Sequence, residues 1–204
     1  MKIIKDGVRR FREKEFAKEQ ELFEKLAKGQ NPTIMFITCS DSRIDPYLIT
    51  DSSPGDLFVL RNAGNIIPPY GEPFGAEAAA VELAVVELAV EHIIVCAHSG
   101  CGAMTVLFSE EARKSMPTVD KWLASAEDTR LHILDSCADH EPAEKVVAAA
   151  KENALKQLEN LKTYPCVAAA MAEGKLELHA LYYDIPTGEI SAYAFETGHY
   201  ELLE

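Results

Sequence analysis

The sequence predicts an α/β fold: a mostly parallel β-sheet core flanked by helices, with a final antiparallel strand and an N-terminal helical arm. Three observations lead there. Short continuous apolar runs, at 33–38 and 92–97, read as strands buried on both faces. Longer stretches with apolar residues at helical spacing alternate with such runs, which implies parallel strands joined by helical crossovers. Near the end of the chain, Pro186-Thr187-Gly188 forms a short turn between two strand-like segments, a connection that suits an antiparallel pair.

Taken in order, residues 8–28 read as an amphipathic helix with Val8, Phe11, Phe16, Leu22, Phe23 and Leu26 as its apolar positions and Gly29 as its stop. An exposed leading helix of this kind needs a surface to pack on, and a partner subunit would supply one. The whole of 1–204 is read as one domain, with 1–29 as its arm. Pro32 precedes the first strand, and 56–60 forms a second. Segment 75–90 is nearly apolar all round, broken by Glu77, Glu82 and Glu87, and reads as a buried helix. The third strand, 92–97, runs into the turn Ser99-Gly100-Cys101-Gly102 and then a helix. Region 118–162 reads as helical: Pro142 suits a first helical position, and Val146, Val147, Ala150, Ala154, Leu158 and Leu161 give an apolar face. Segments 176–183 and 189–195 are the fourth and fifth strands. No internal repeat, low-complexity tract or linker interrupts the pattern.

Composition narrows the function. Hydrophobic residues at 48% and charged residues at 26% suit a soluble globular protein. A formal charge of -13 with no Lys/Arg-rich run speaks against nucleic-acid binding, which needs cations to neutralise phosphates. The longest low-charge run, 75–90, is too short and too acidic for a bilayer span, so no membrane partner is expected. The charged start lacks the apolar core of a secretory leader, so the expected location is the cytoplasm, or a microcompartment or organelle reached by a signal the sequence does not show. The five cysteines are odd in number and not spaced as a disulfide framework. In a reducing compartment they are core residues, metal ligands or nucleophiles.

Two of the buried strands end in candidate ligands. Cys39 sits just past the first and His98 just past the third, with Cys101 three residues on. Ligands of open parallel sheets bind beyond the carboxyl ends of the strands, which puts all three side chains at one edge. Two thiolates and an imidazole suit zinc, and three protein ligands leave a fourth tetrahedral position for water, the mark of a catalytic site. The plain alternative is that cysteines are simply buried often, and a lone His-x-x-Cys is weak evidence. Asp41 and Arg43 add to the site. A surface ion pair is worth little, but beside a metal Arg43 would keep Asp41 ionised and oriented.

Cys39-Ser40-Asp41-Ser42-Arg43 and His98-Ser99-Gly100-Cys101-Gly102 closely resemble the paired zinc motifs of β-class carbonic anhydrases. The resemblance runs from about Gln30 to Phe195. It takes in Phe58-Val59-Leu60-Arg61-Asn62-Ala63-Gly64-Asn65 and Tyr182-Tyr183-Asp184-Ile185-Pro186-Thr187-Gly188. Ile66-Ile67-Pro68-Pro69-Tyr70 gives it a plant and cyanobacterial look. The resemblance implies reversible hydration of CO2 to bicarbonate, with one Zn2+ per chain held by Cys39, His98 and Cys101. It makes Asp41 and Arg43 the catalytic dyad and Gln30 a hydrogen-bond donor to substrate. Tyr70 stands at an aromatic wall position, and Leu83 stands where plant members carry a tyrosine. It also implies self-association as a dimer or a multiple of dimers, with pockets built from two subunits.

Ala103 replaces a glycine common after the Cys-Gly pair. Cys96 reads as core, and Cys137 and Cys166 as bystanders. None of His92, His132, His140, His179 and His199 is placed to be named a proton shuttle. One branch of the family has a bicarbonate-gated switch in which a tryptophan, an arginine and a tyrosine hold the anion. Arg61 and Tyr183 match two of those positions, but Phe36 stands at the third, so the switch is expected to be absent. Two other readings remain open at this point: a carbonyl sulfide or carbon disulfide hydrolase on the same scaffold, and a non-catalytic zinc-binding or redox-sensing module.

Overall fold

A computed structural model describes residues 1–71 and 75–203. The chain forms two compact units, Met1–Asn31 and Pro32–Glu204.

The first unit holds α1 (Lys2–Arg10), a π-helical segment (Phe11–Phe16) and α2 (Gln20–Leu26). The single helix expected over 8–28 therefore starts earlier and is interrupted. The cause lies in its aromatics. Phe11 and Phe16 are five residues apart, a spacing that a wider i→i+5 turn brings onto one side. Their rings and that of Phe23 cluster with centroids 5.0–6.1 Å apart. No residue of the three segments is buried within the chain.

The second unit is built on a six-stranded sheet in the order β2-β1-β3-β4-β5-β6. β1 (Ile34–Cys39), β2 (Leu57–Asn62), β3 (His92–His98) and β4 (Glu177–Tyr183) run parallel. β5 (Ile190–Ala194) pairs antiparallel with β4, as the short turn requires. β6 (His199–Leu202), a further antiparallel edge strand, escaped the sequence reading because its polar residues at an exposed edge show no apolar run. β1 lies inside the sheet, and its Met35, Phe36 and Ile37 are wholly buried.

Helices connect the strands. After β1 comes the short α3 (Pro46–Ile49), capped by Asp45, whose side chain accepts from the Tyr47 and Leu48 backbone N–H groups. Between β2 and β3 lie α4 (Ala76–Glu82) and a π-turn (Leu83–Glu87). This segment is not the buried helix expected from its composition. Val81 and Ala84 face the core, while Leu83 and Val86 stand 46% and 65% exposed. Its alanines make it look apolar all round, yet only one side faces the core.

From β3 to β4 the chain passes through α5 (Gly102–Leu107), α6 (Glu110–Ser115), α7 (Pro117–Leu123), α8 (Glu127–Ser136), α9 (Pro142–Lys162) and α10 (Pro165–Ala172). α9 starts at Pro142 as expected and carries a reciprocal capping box between Glu141 and Glu144. It packs along β3 and β4. Its buried face holds Asn153, Gln157 and Asn160 beside Ala150, Ala154, Leu158 and Leu161. No helix among the described residues is long and apolar enough to cross a membrane.

Candidate metal centre

The parallel register brings the candidate ligands together at the carboxyl edge of the sheet. Cys39 is the last residue of β1 and His98 the last of β3. Cys101 is the N-cap residue of α5, one tight turn beyond His98. The Sγ atoms of Cys39 and Cys101 are 3.9 Å apart, and their sulfurs and a ring nitrogen of His98 all lie within 4.8 Å of one another. All three residues are buried.

The turn between His98 and Cys101 is fixed from two sides. The Ser99 backbone N–H donates to the Tyr183 carbonyl at 2.9 Å, and Ser99 Oγ accepts from the Ile185 N–H at 2.9 Å. Gly100 has a φ of +62°, a left-handed conformation that glycine adopts without strain. Its carbonyl accepts from Arg43 Nη2 at 2.9 Å.

The donor set fits zinc on three counts. His98 Nδ1 lies 3.0 Å from the Ser99 carbonyl, which can only accept, so Nδ1 carries the proton and Nε2 offers its lone pair. That Nε2 is fully buried with no hydrogen-bond partner. Two thiolates bound tetrahedrally at ~2.3 Å from zinc stand ~3.8 Å apart, close to the 3.9 Å seen here. The thiols also titrate as a pair. Hydrogen bonding between them holds Cys39 below the ordinary thiol range and pushes Cys101 above it, while burial opposes ionisation of both. A dication would relieve that opposition and let both carry charge.

Asp41 and Arg43 flank the cluster. Arg43 Nε donates to Asp41 Oδ1 at 2.9 Å and Nη2 to Oδ2 at 2.7 Å, and the Arg43 backbone N–H adds a bond to Oδ1 at 3.0 Å. These bonds from Arg43 hold the Asp41 carboxyl well below the usual carboxylate range, against the opposing effect of its burial. Asp41 Oδ2 lies 4.0 Å from His98 Nε2. Asp41 is thus beside the candidate ligands and paired with arginine.

Gln30 belongs to the first compact unit. Tyr70 follows the Pro68-Pro69 pair; its N–H donates to Thr163 Oγ1, and its ring meets Tyr164 edge-on at 5.4 Å. Leu83 opens the exposed π-turn. Cys96 is core, with burial pushing its thiol up to about 12. Arg61 is occupied: Nε donates to the Cys39 carbonyl at 3.1 Å, and Nη2 donates to those of Asp41 and Ile44 at 2.7 and 2.8 Å.

One supporting layer was missed by sequence reasoning. The Gly64 backbone N–H points at Cys39 Sγ from 3.4 Å, and the Gly64 carbonyl accepts from Asn153 Nδ2 at 2.9 Å. Gln157 Nε2 donates to Asn153 Oδ1, while Gln157 Oε1 accepts from the Ile67 N–H. Asn160 Nδ2 donates to the Ile67 carbonyl. Asn62 closes the same loop with bonds to both backbone groups of Ile66. A polar stripe at 153, 157 and 160 on an otherwise apolar helical face was the available signal.

Comparison with known proteins agrees with this geometry. The family model described as carbonic anhydrase matches residues 34–190. A carbonic anhydrase of Synechococcus elongatus is 46% identical over 191 residues, covering 93% of this chain and 70% of the relative. Among solved structures, the β-carbonic anhydrase CcaA superposes with a TM-score of 0.97 at 45% identity, covering 100% of this chain and 92% of that one. A tetrameric β-carbonic anhydrase from Sordaria macrospora gives 0.85 at 31% identity, covering 93% and 94%.

Proposed function

The chain belongs to the β-class carbonic anhydrase family and is an enzyme of reversible CO2 hydration; from that premise we propose that Cys39, His98 and Cys101 hold one zinc ion per chain. The observation that carries the assignment is the convergence of two sulfurs 3.9 Å apart on a buried, unpartnered imidazole nitrogen. When bound, zinc supplies a Lewis-acid centre that makes water a nucleophile near neutral pH.

The protein's own residues do the rest. Asp41 presents an ionised acceptor beside the cluster and orients the reacting water through its proton. Arg43 fixes that carboxylate by a two-bond grip and keeps it charged. Gln30 donates a hydrogen bond to the bound substrate. Tyr70 and Leu83 wall the pocket, and apolar walls suit CO2, which carries no charge to recognise.

The enzyme works as a homo-oligomer, a dimer or a multiple of dimers, in the cytoplasm, with 1–204 acting as one functional domain and its 1–29 arm packing on a partner subunit. Two features support self-association: Leu83 and Val86 form an apolar stripe that the chain leaves exposed, and a related enzyme is tetrameric. The matches favour neither the carbonyl sulfide or carbon disulfide hydrolase reading nor a non-catalytic zinc module. Assaying CO2, COS and CS2 side by side tests the substrate. CO2 is expected to turn over fastest, and faster hydrolysis of either sulfur compound would reassign it.

A further inference from the structure

A second cluster of metal-binding side chains lies at the far end of β3. His92 opens the strand that His98 closes, six residues later at ~3.3 Å each, so the two ends are ~20 Å apart. The parallel register sets His92 beside Glu177 and Ile94 beside His179. Side chains alternate along a strand, so His92, Glu177 and His179 emerge on one face. His92 Nδ1 is 3.1 Å from His179 Nε2, and Glu177 Oε2 is 3.9 Å from the first and 3.8 Å from the second.

We infer that His92, Glu177 and His179 form a second metal site, for a borderline divalent ion such as zinc, with water completing the coordination. Two imidazoles and a carboxylate are a donor set such ions accept. Two imidazole nitrogens bound tetrahedrally at ~2.05 Å from zinc stand ~3.3 Å apart, near the 3.1 Å found. A ring-to-ring N–H···N hydrogen bond would also account for that distance. Glu177 faces both nitrogens from beyond hydrogen-bond range, at the ion-pair distance it would keep from a protonated imidazole. A cation among the three donors accounts for all of them. The Glu177 side chain is 72% exposed and has room to close the last few tenths of an ångström. A cleft of about 450 Å³ lined by Val85, Ala89, Glu91, His92, Lys175 and Glu177 leaves space for water ligands. The nearby Lys175 is paired with Glu173 at 2.7 Å. The ion would tie the starts of β3 and β4 together, remote from the chemistry at His98.

The test uses the zinc-loaded enzyme, dialysed against micromolar Zn2+ in a non-chelating buffer, with metal counted per chain by elemental analysis. Wild type is expected to hold two ions per chain, one for each cluster. His179→Gln and Glu177→Gln should each hold one, with CO2 hydration unchanged and affinity for the second ion lowered by more than ~10–100-fold, the loss typical of removing only an outer partner. Glu177 is exposed, so its variant remains informative if His179→Gln does not fold. Crystals of wild type soaked in zinc should show an anomalous peak among the three donors. A single ion in wild type with no peak there, the rings merely hydrogen-bonded, would overturn the inference. So would a second ion that persists in both variants.

Discussion

Gly64 is the most exacting position around the metal centre, and Gly64→Ala is the perturbation that tests why. Its φ is +82°, where an L side chain is strained. An added Cβ would stand 3.0 Å from Ala103 Cβ and 3.2 Å from Met104 Cε. The left-handed backbone costs ~1–2 kcal/mol with a Cβ present. Overpacking a filled core adds ~1–3 kcal/mol, with the Met104 end able to yield and Ala103, in the first turn of α5, much less so. The expected loss is therefore ~2–5 kcal/mol. Urea unfolding at fixed protein and zinc concentration measures it. Because the Gly64 N–H faces Cys39 Sγ, metal release to a competing chelator should also quicken. The packing share can be isolated with Ala103→Gly, which removes the nearest atom. A double-mutant cycle should give a favourable coupling of at least ~1 kcal/mol, as residues in contact do. Coupling near zero, or a single variant within ~0.5 kcal/mol of wild type, would refute the reasoning.

Asp41→Ala should retain zinc yet lose most CO2 hydration, which metal analysis and stopped-flow assay decide together; near-normal turnover would remove Asp41 from the mechanism. The Asp41 pKa is depressed on folding, so its stabilising pair with Arg43 is complete above the unfolded carboxylate value of ~3.9 and is lost only as pH falls below it. Light scattering should report a dimer or a multiple of dimers, and an active monomer would contradict the reading of the exposed Leu83–Val86 stripe. Bicarbonate should act only as product. Phe36 lacks the indole donor worth ~1.5–3 kcal/mol toward an anion, roughly tenfold to hundredfold in affinity, and Arg61 already serves three backbone carbonyls. Asp41 found on the metal by X-ray absorption at neutral pH, with a steep cooperative pH profile, would reverse this.

The parallel core was legible because Ile34–Cys39 and His92–His98 are continuous apolar runs that end in chemically marked residues. The strand-end rule places Cys39, His98 and Cys101 on one edge from the sequence alone. Other features were hidden for identifiable reasons. The π-turn of the arm depends on ring contacts among Phe11, Phe16 and Phe23 that helical periodicity does not encode. Alanine-rich Ala76–Glu82 looked buried because small residues count as apolar wherever they point. The Asn153–Gln157–Asn160 ladder is polar inside the core, so a search for an apolar face passes over it. Its value appears only when the loop carrying Gly64 and Ile67 lies against it. The register pairing His92 with Glu177 is likewise a tertiary fact.

Metal content of Cys39→Ser and His98→Ala, measured beside CO2 hydration, tests the assignment of the centre most directly. Both variants should lose the tightly held zinc, lose activity and unfold more easily, since an unpaired thiol and a buried polar cavity replace a filled coordination sphere. Full zinc occupancy at that site in both variants, with activity retained, would contradict it.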